Sequence, residues 1–119
     1  MYKTNTDPRK VLIWQHETTT LELEEIAQSG KLSELPPVPV FELPTKYAHL
    51  GDYVLHDGHH RREAARRANS DLPILVLQCA DDFRLVKEYN HPSWYDKSPK
   101  EFESWVNTQI KYALEYNKY

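Results

Sequence analysis

The chain has 119 residues, of which 15 are lysine or arginine and 18 are aspartate or glutamate, so its formal net charge is −3. Hydrophobic residues make up 39% and charged residues 28%, which is typical of a globular protein and excludes a disordered one. The acidic balance argues against general attraction to nucleic acid, and the single cysteine excludes an internal disulfide or a multi-cysteine zinc site.

The length predicts one domain over residues 1–119, with a core at about 10–79 and a helical extension at about 81–117. The N-terminal residues lack the apolar run of a secretory signal. The longest apolar stretch, 72–77, contains Pro73 and is much shorter than a membrane span. We therefore expect a cytoplasmic protein that does not associate with membranes.

The first predicted elements are a strand and a helix. Lys10–Trp14 is a short apolar run that favours a strand. A helix follows at roughly 20–29, where Thr19 and Glu22 have the spacing of a capping box. Gly30 is the expected left-handed residue after the helix end.

Two further strands and a helix are predicted in the middle of the chain. Val38–Leu43 favours a strand, which the preceding and internal prolines restrict to a strand start or an edge. Pro36 to Pro39 also has the spacing of a proline-rich ligand motif. Tyr53–Leu55 is the next strand, and 60–68 is helical, with a stripe of alanines that allows close packing on a sheet.

The last third of the chain predicts a buried strand and two helices. Leu72–Gln78 is apolar on both faces, and Cys79 after it is expected to be a buried small side chain. A short helix is predicted from about Asp81 to Tyr89, and Ser98-Pro99 starts the last helix, which ends near Tyr116. The aromatic residues expected to pack this helix over the sheet are Trp94, Tyr95, Trp105, Tyr112, Tyr116 and Tyr119. The order of elements predicts an α/β or α+β fold with a small mixed sheet.

The segment from Asp57 to Arg62 is the strongest candidate for a binding site. A strand leads into Gly58, and a helix opens directly after it with His59, His60, Arg61 and Arg62. A helix N-terminus offers free N–H groups and a partial positive charge, and cationic side chains there lower stability unless an anion is bound. We therefore predict that this turn binds phosphate.

Metal binding at the same turn is an alternative. Asp57, His59 and His60 are potential ligands, but adjacent histidines usually point in different directions and no second histidine pair follows at zinc-site spacing. A Mg²⁺ ion that accompanies a nucleotide and is bound by Asp57 is more consistent with the sequence than structural zinc.

The sequence Asp57-Gly58-His59-His60-Arg61, between a strand and an alanine-rich helix, resembles the ParB/sulfiredoxin-like superfamily over residues 10–79. The resemblance implies an α+β fold with a small mixed sheet and flanking helices, to which this chain adds a C-terminal helical extension. Sulfiredoxin-like enzymes have a nucleophilic cysteine where this chain has His59, so sulfinic acid reduction is not expected. ParB-type proteins bind CTP through a different turn sequence, of which only Gly58 and Arg61 are present here.

The branch that resembles ADP-dependent free serine kinases uses Asp-Gly-His-His-Arg at this turn. That resemblance implies ATP or ADP as the nucleotide, a small-molecule acceptor such as an amino acid, and Glu17 as the catalytic base. Asp57 and His60 are the other residues to which it assigns a catalytic role.

Two other functions stay open on sequence grounds. One is a DNA-associated ParB-like regulator, in which Arg66 and Arg67 form a basic stripe. The other is a metal-dependent nuclease that uses His59 or His60. A homodimer built on the aromatic C-terminal region is a further expectation.

Overall fold

The computed structural model describes residues 1–14, 18–85 and 99–117. Within these residues the strands are β1 Tyr2–Thr6, β2 Val11–Leu12, β3 Val38–Glu42, β4 Tyr53–Leu55 and β5 Leu72–Leu77. The α-helices in the same residues are α1 Leu21–Gln28, α2 His59–Arg67, α3 Ala80–Leu85 and α4 Pro99–Tyr116.

The strands form one mixed sheet in the order β1-β5-β3-β4-β2. β1 runs antiparallel to β5, and β3 runs antiparallel to β4. The other two pairs, β3 with β5 and β2 with β4, are parallel. The predicted α+β class, with a small mixed sheet and flanking helices, is confirmed.

Alternation along the strands gives the sheet two apolar faces. In β3, Val38 and Val40 belong to the apolar cluster that includes residues of α1 and α2, whereas Phe41 belongs to the opposite cluster. Ala64 and Ala65 of α2 are fully buried on the first face. Their small side chains let the helix axis approach the sheet closely, which brings the start of α2 against β3.

Helix α4 covers the opposite face. Phe102 meets Phe41 edge-on at 5.9 Å between ring centroids, and Ala113 is fully buried. Tyr112 and Tyr116 are 50% and 41% exposed, so the prediction that they pack over the sheet is wrong. Trp94, Tyr95 and Tyr119 lie outside the described residues. Among the helices described, none combines the length and apolar character that a membrane span requires.

Strand β1 is not predicted from the sequence. Residues 2–6 pair with β5 in register from Tyr2 opposite Val76 to Thr6 opposite Leu72. The strand is polar and mostly exposed, so it lacks the apolar alternation by which a strand is recognised. The sheet therefore extends beyond the expected start of the core at residue 10.

Three local predictions also need correction. β3 is an interior strand rather than an edge, with Pro39 as its second residue. Helix α1 is capped by Thr20, whose hydroxyl accepts from Leu23 N at 3.2 Å, and not by Thr19. Cys79 is exposed, because β5 ends at Leu77 and the chain turns toward α3.

Candidate functional site

The turn between β4 and α2 is built around Gly58. Its φ of 95° lies in the left-handed region, which only glycine adopts readily. A Cβ at this position would lie 2.5 Å from Cγ1 of Val38, so the backbone of the turn rests directly on β3. Gly58 N–H donates to Oδ1 of Asp57 at 2.7 Å. The backbone angle and the close approach to Val38 both require glycine at this position.

The N-terminus of α2 is electrostatically suited to an anion. Gly58 is the N-cap residue and supplies no side-chain acceptor to the first turn. That turn contains no acidic residue, while its four side chains are all histidine or arginine. The first turn itself therefore supplies no carboxylate to balance the positive end of the helix dipole, although the Asp57 carboxylate precedes the N-cap.

His59 is buried at the first position of the helix. Only 6% of the residue is exposed, and its ring meets Trp14 edge-on at 4.8 Å. Trp14 is itself held by a 2.7 Å bond from its Nε1 to Leu55 O. Burial lowers the pKa of His59 to about 4, against a smaller opposing effect of the Asp57 carboxylate, so the ring is neutral at pH 7. Its Nε2 atom is buried without a hydrogen-bond partner among the residues described.

His60 turns the other way and is exposed. Its Nδ1 lies 2.7 Å from Thr18 O, in the segment that precedes α1. A carbonyl oxygen only accepts, so Nδ1 carries the hydrogen and donates it. In the neutral ring the lone pair is then on Nε2. The adjacent histidines thus occupy opposite environments.

Arg61 and Arg62 are both anchored on backbone carbonyls. Arg61 donates from Nη1 to Pro36 O, in the segment that leads into β3. Arg62 donates from Nε to Pro8 O at 3.0 Å. The structure therefore brings His59, His60, Arg61 and Arg62 together at the turn after Asp57 and Gly58, each with a defined partner or environment.

Glu63 was not identified from the sequence. It is 4% exposed and accepts from Arg66 Nε at 3.1 Å and from Arg67 Nε at 2.9 Å. Hydrogen bonding from Arg66 is the largest effect on the Glu63 pKa, which is lowered. Arg67 also donates to Oε1 of Glu24 at 2.7 Å, which joins α2 to α1. The sequence signal for this network is the position of Arg66 and Arg67, three and four residues after Glu63 in a helix.

These ion pairs bear on the proposed basic stripe. Arg66 and Arg67 are both paired with carboxylates of this chain, so much of their charge is balanced within the protein. Across 1–14, 18–85 and 99–117, no group of three or more histidine, cysteine, aspartate or glutamate residues could hold a metal ion. Glu17, the candidate base, lies outside the described residues.

No protein-family model matches the sequence, and no curated protein matches it significantly. Two solved structures of the C-terminally truncated chromosome-partitioning protein ParB from Caulobacter crescentus are similar to this chain. The complex with CTP-γ-S is 17% identical with a TM-score of 0.46, and the match covers 93% of this chain and 78% of that chain. The complex with the centromeric parS site is 17% identical with a TM-score of 0.43, and the match covers 91% and 70%.

Proposed function

We propose that the Gly58 turn and the N-terminus of α2 bind the phosphate groups of a nucleotide. The observation that carries this proposal is the buried Nε2 atom of His59, which has no hydrogen-bond partner within the described part of the chain. An unsatisfied buried polar atom costs about 1–3 kcal/mol. A phosphate oxygen that accepts from Nε2–H of the neutral ring would remove this cost.

The rest of the turn supports the same ligand. The amides of the first turn of α2 and the helix dipole favour negative charge at this point. The bond from Arg61 Nη1 to Pro36 O fixes the position of this side chain. It uses one of the three guanidinium nitrogens that carry N–H donors. A side chain fixed in advance loses less conformational freedom when it binds.

The nucleotide and its metal are finer parts of the proposal. The resemblance of the turn to free serine kinases favours ATP or ADP, and the resemblance to ParB-type proteins makes CTP the third candidate. Magnesium that accompanies nucleotides is usually held by phosphate oxygens and one or two carboxylates. Asp57, whose Oδ1 accepts from Gly58 N–H, is the carboxylate that would share such an ion.

A kinase activity toward a small-molecule acceptor would follow if Glu17 acts as the base. Phosphoryl transfer depends mainly on positioning and charge stabilisation, with one carboxylate that orients the attacking hydroxyl. Glu17→Gln should abolish transfer to the acceptor and leave nucleotide affinity nearly unchanged. Transfer that survives this substitution would contradict the assignment of Glu17.

Thermal unfolding with ADP, ATP and CTP, each with and without Mg²⁺, tests the binding proposal. At 100 times its dissociation constant a ligand adds about 2.7 kcal/mol to stability, which corresponds to several degrees in Tm. Arg61→Ala should reduce the shift, whereas Lys31→Ala, an exposed cation on another segment, should not. The absence of a shift with every nucleotide in the unmodified protein would contradict the proposal.

A further inference from the structure

We propose that His60 is a phosphoryl acceptor: its Nε2 atom takes the terminal phosphoryl group of a nucleoside triphosphate bound at the Gly58 turn, which makes the protein self-modifying on histidine. This inference rests on the proposed nucleotide binding. The observations that carry it are the fixed protonation pattern of the His60 ring, its exposure, and its place in the first turn of α2.

The bond to Thr18 prepares the ring for nucleophilic attack. Nδ1–H donates to Thr18 O at 2.7 Å, which fixes both the tautomer and the ring orientation. The lone pair of the neutral ring is therefore on Nε2. The His60 residue is exposed.

His60 belongs to the first turn of α2, which is part of the proposed phosphate site. It is the second residue of α2, and side chains of a helix tilt toward its N-terminus. The dipole and amides of the first turn would stabilise the phosphoryl anion on the product. His59 is unsuited to this role, because the proposed bond from its Nε2–H to a phosphate oxygen leaves no lone pair on that nitrogen.

The step balances without a further reactant. The Nε2 lone pair attacks the terminal phosphorus, an N–P bond forms, and the P–O bond to the bridging oxygen breaks. The nucleoside diphosphate leaves with that electron pair. The Nδ1 proton stays on the ring at first, and Thr18 O stabilises the imidazolium charge until the proton passes to water. The phosphoryl group is then available to an acceptor or to hydrolysis.

The test is incubation of the full chain with γ-³²P-labelled ATP or CTP and Mg²⁺, followed by phosphopeptide mapping. We expect a label on His60 that is stable in alkali and lost in acid, as phosphoramidates are. His60→Asn should abolish it, because the asparagine amide can still donate to Thr18 O but has no nucleophilic lone pair. His49→Gln, a change of another exposed histidine, should leave the label in place.

Thermal shifts measured on the same samples separate the possible results. A nucleotide-induced shift without any label would overturn the phosphohistidine and leave nucleotide binding intact. A label that persists in His60→Asn, or that maps to another residue, would also overturn it. The absence of both shift and label would overturn this inference together with the proposed function. Mapping on the unmodified protein decides the result even if His60→Asn fails to fold.

Discussion

The two neighbouring histidines at the start of α2 lie in different chemical environments, although they are adjacent in the sequence. His59 is buried against Trp14 and is neutral, while His60 is exposed and bonded to a backbone carbonyl. Successive residues in a helix are rotated by about 100°, so one ring faces the core and the next faces solvent. The pair can therefore contribute a buried donor and an exposed lone pair to the same turn.

The buried ring predicts a pH-dependent stability. The folded-state pKa of His59 is about 4 and its ordinary value is 6.5, so the unfolded chain takes up the proton first as the pH falls. The free energy of unfolding should therefore decrease between pH 6.5 and pH 4, by roughly 3 kcal/mol from this group. His59→Phe keeps an aromatic ring against Trp14 and removes the titration.

Urea denaturation at a series of pH values measures this effect. The difference between the unmodified protein and His59→Phe isolates His59, because every other titrating group is common to both. Over this pH interval the free energy of unfolding should decrease by roughly 3 kcal/mol less in His59→Phe than in the unmodified protein. Equal losses in the two proteins would show that His59 is not buried in a neutral form.

At the scale of elements, the close approach of the α2 start to β3 depends on Gly58. Gly58→Ala introduces both an unfavourable φ and a Cβ that collides with Val38. Gly30 has a φ of 70°, and a Cβ added there would have no neighbour within 4 Å, so Gly30→Ala introduces the backbone penalty alone. We expect the free energy of unfolding to decrease by about 1 kcal/mol in Gly30→Ala and by about 2–4 kcal/mol in Gly58→Ala. Chemical denaturation that gives equal losses would contradict the collision with Val38.

The junction of α1 and α2 depends on a buried carboxylate. Glu63→Gln removes the charge that Arg66 and Arg67 share and should lower stability by about 1–2 kcal/mol, since the arginines are partly exposed. Glu24→Gln removes only the ion pair between Glu24 and Arg67 and should lower stability less. A larger loss for Glu24→Gln in denaturation experiments would mean that Glu63 is not the centre of this network.

Elements with strong local signals were predictable from the sequence. The Ser98-Pro99 pair predicted the start of α4, and Gly30 predicted the left-handed residue after α1. β1 was missed because its stability comes from pairing with β5 rather than from its own apolar pattern. The anchors of Arg61 and Arg62 could not be predicted, because their acceptors are backbone carbonyls that are distant in sequence and have no side-chain signal.

At the scale of the whole molecule, α4 completes the second face of the sheet. Phe102 packs on Phe41 there, and Phe102→Ala should leave a cavity and lower stability by about 3 kcal/mol. Tyr112→Ala, on the exposed side of the same helix, should change stability by less than about 0.5 kcal/mol. Similar losses in the two variants by urea denaturation would contradict the packing of α4 through Phe102.

The two helical layers around the sheet have different parts in the proposed activity. The layer of α1 and α2 carries the candidate phosphate turn, and its arginines are anchored on segments that precede β2 and β3. The layer of α4 provides apolar cover for the other face. Substitutions that loosen α4 should therefore reduce stability more than they reduce nucleotide affinity.

The most direct test of the central claim is an NMR titration of the His59 imidazole with and without ATP, ADP or CTP and Mg²⁺. Without nucleotide, the pKa of His59 should be about 4. A phosphate that accepts from Nε2 favours the protonated ring, so the nucleotide that binds should raise this pKa. A nucleotide that binds while the titration of His59 stays unchanged would contradict the placement of phosphate at the Gly58 turn.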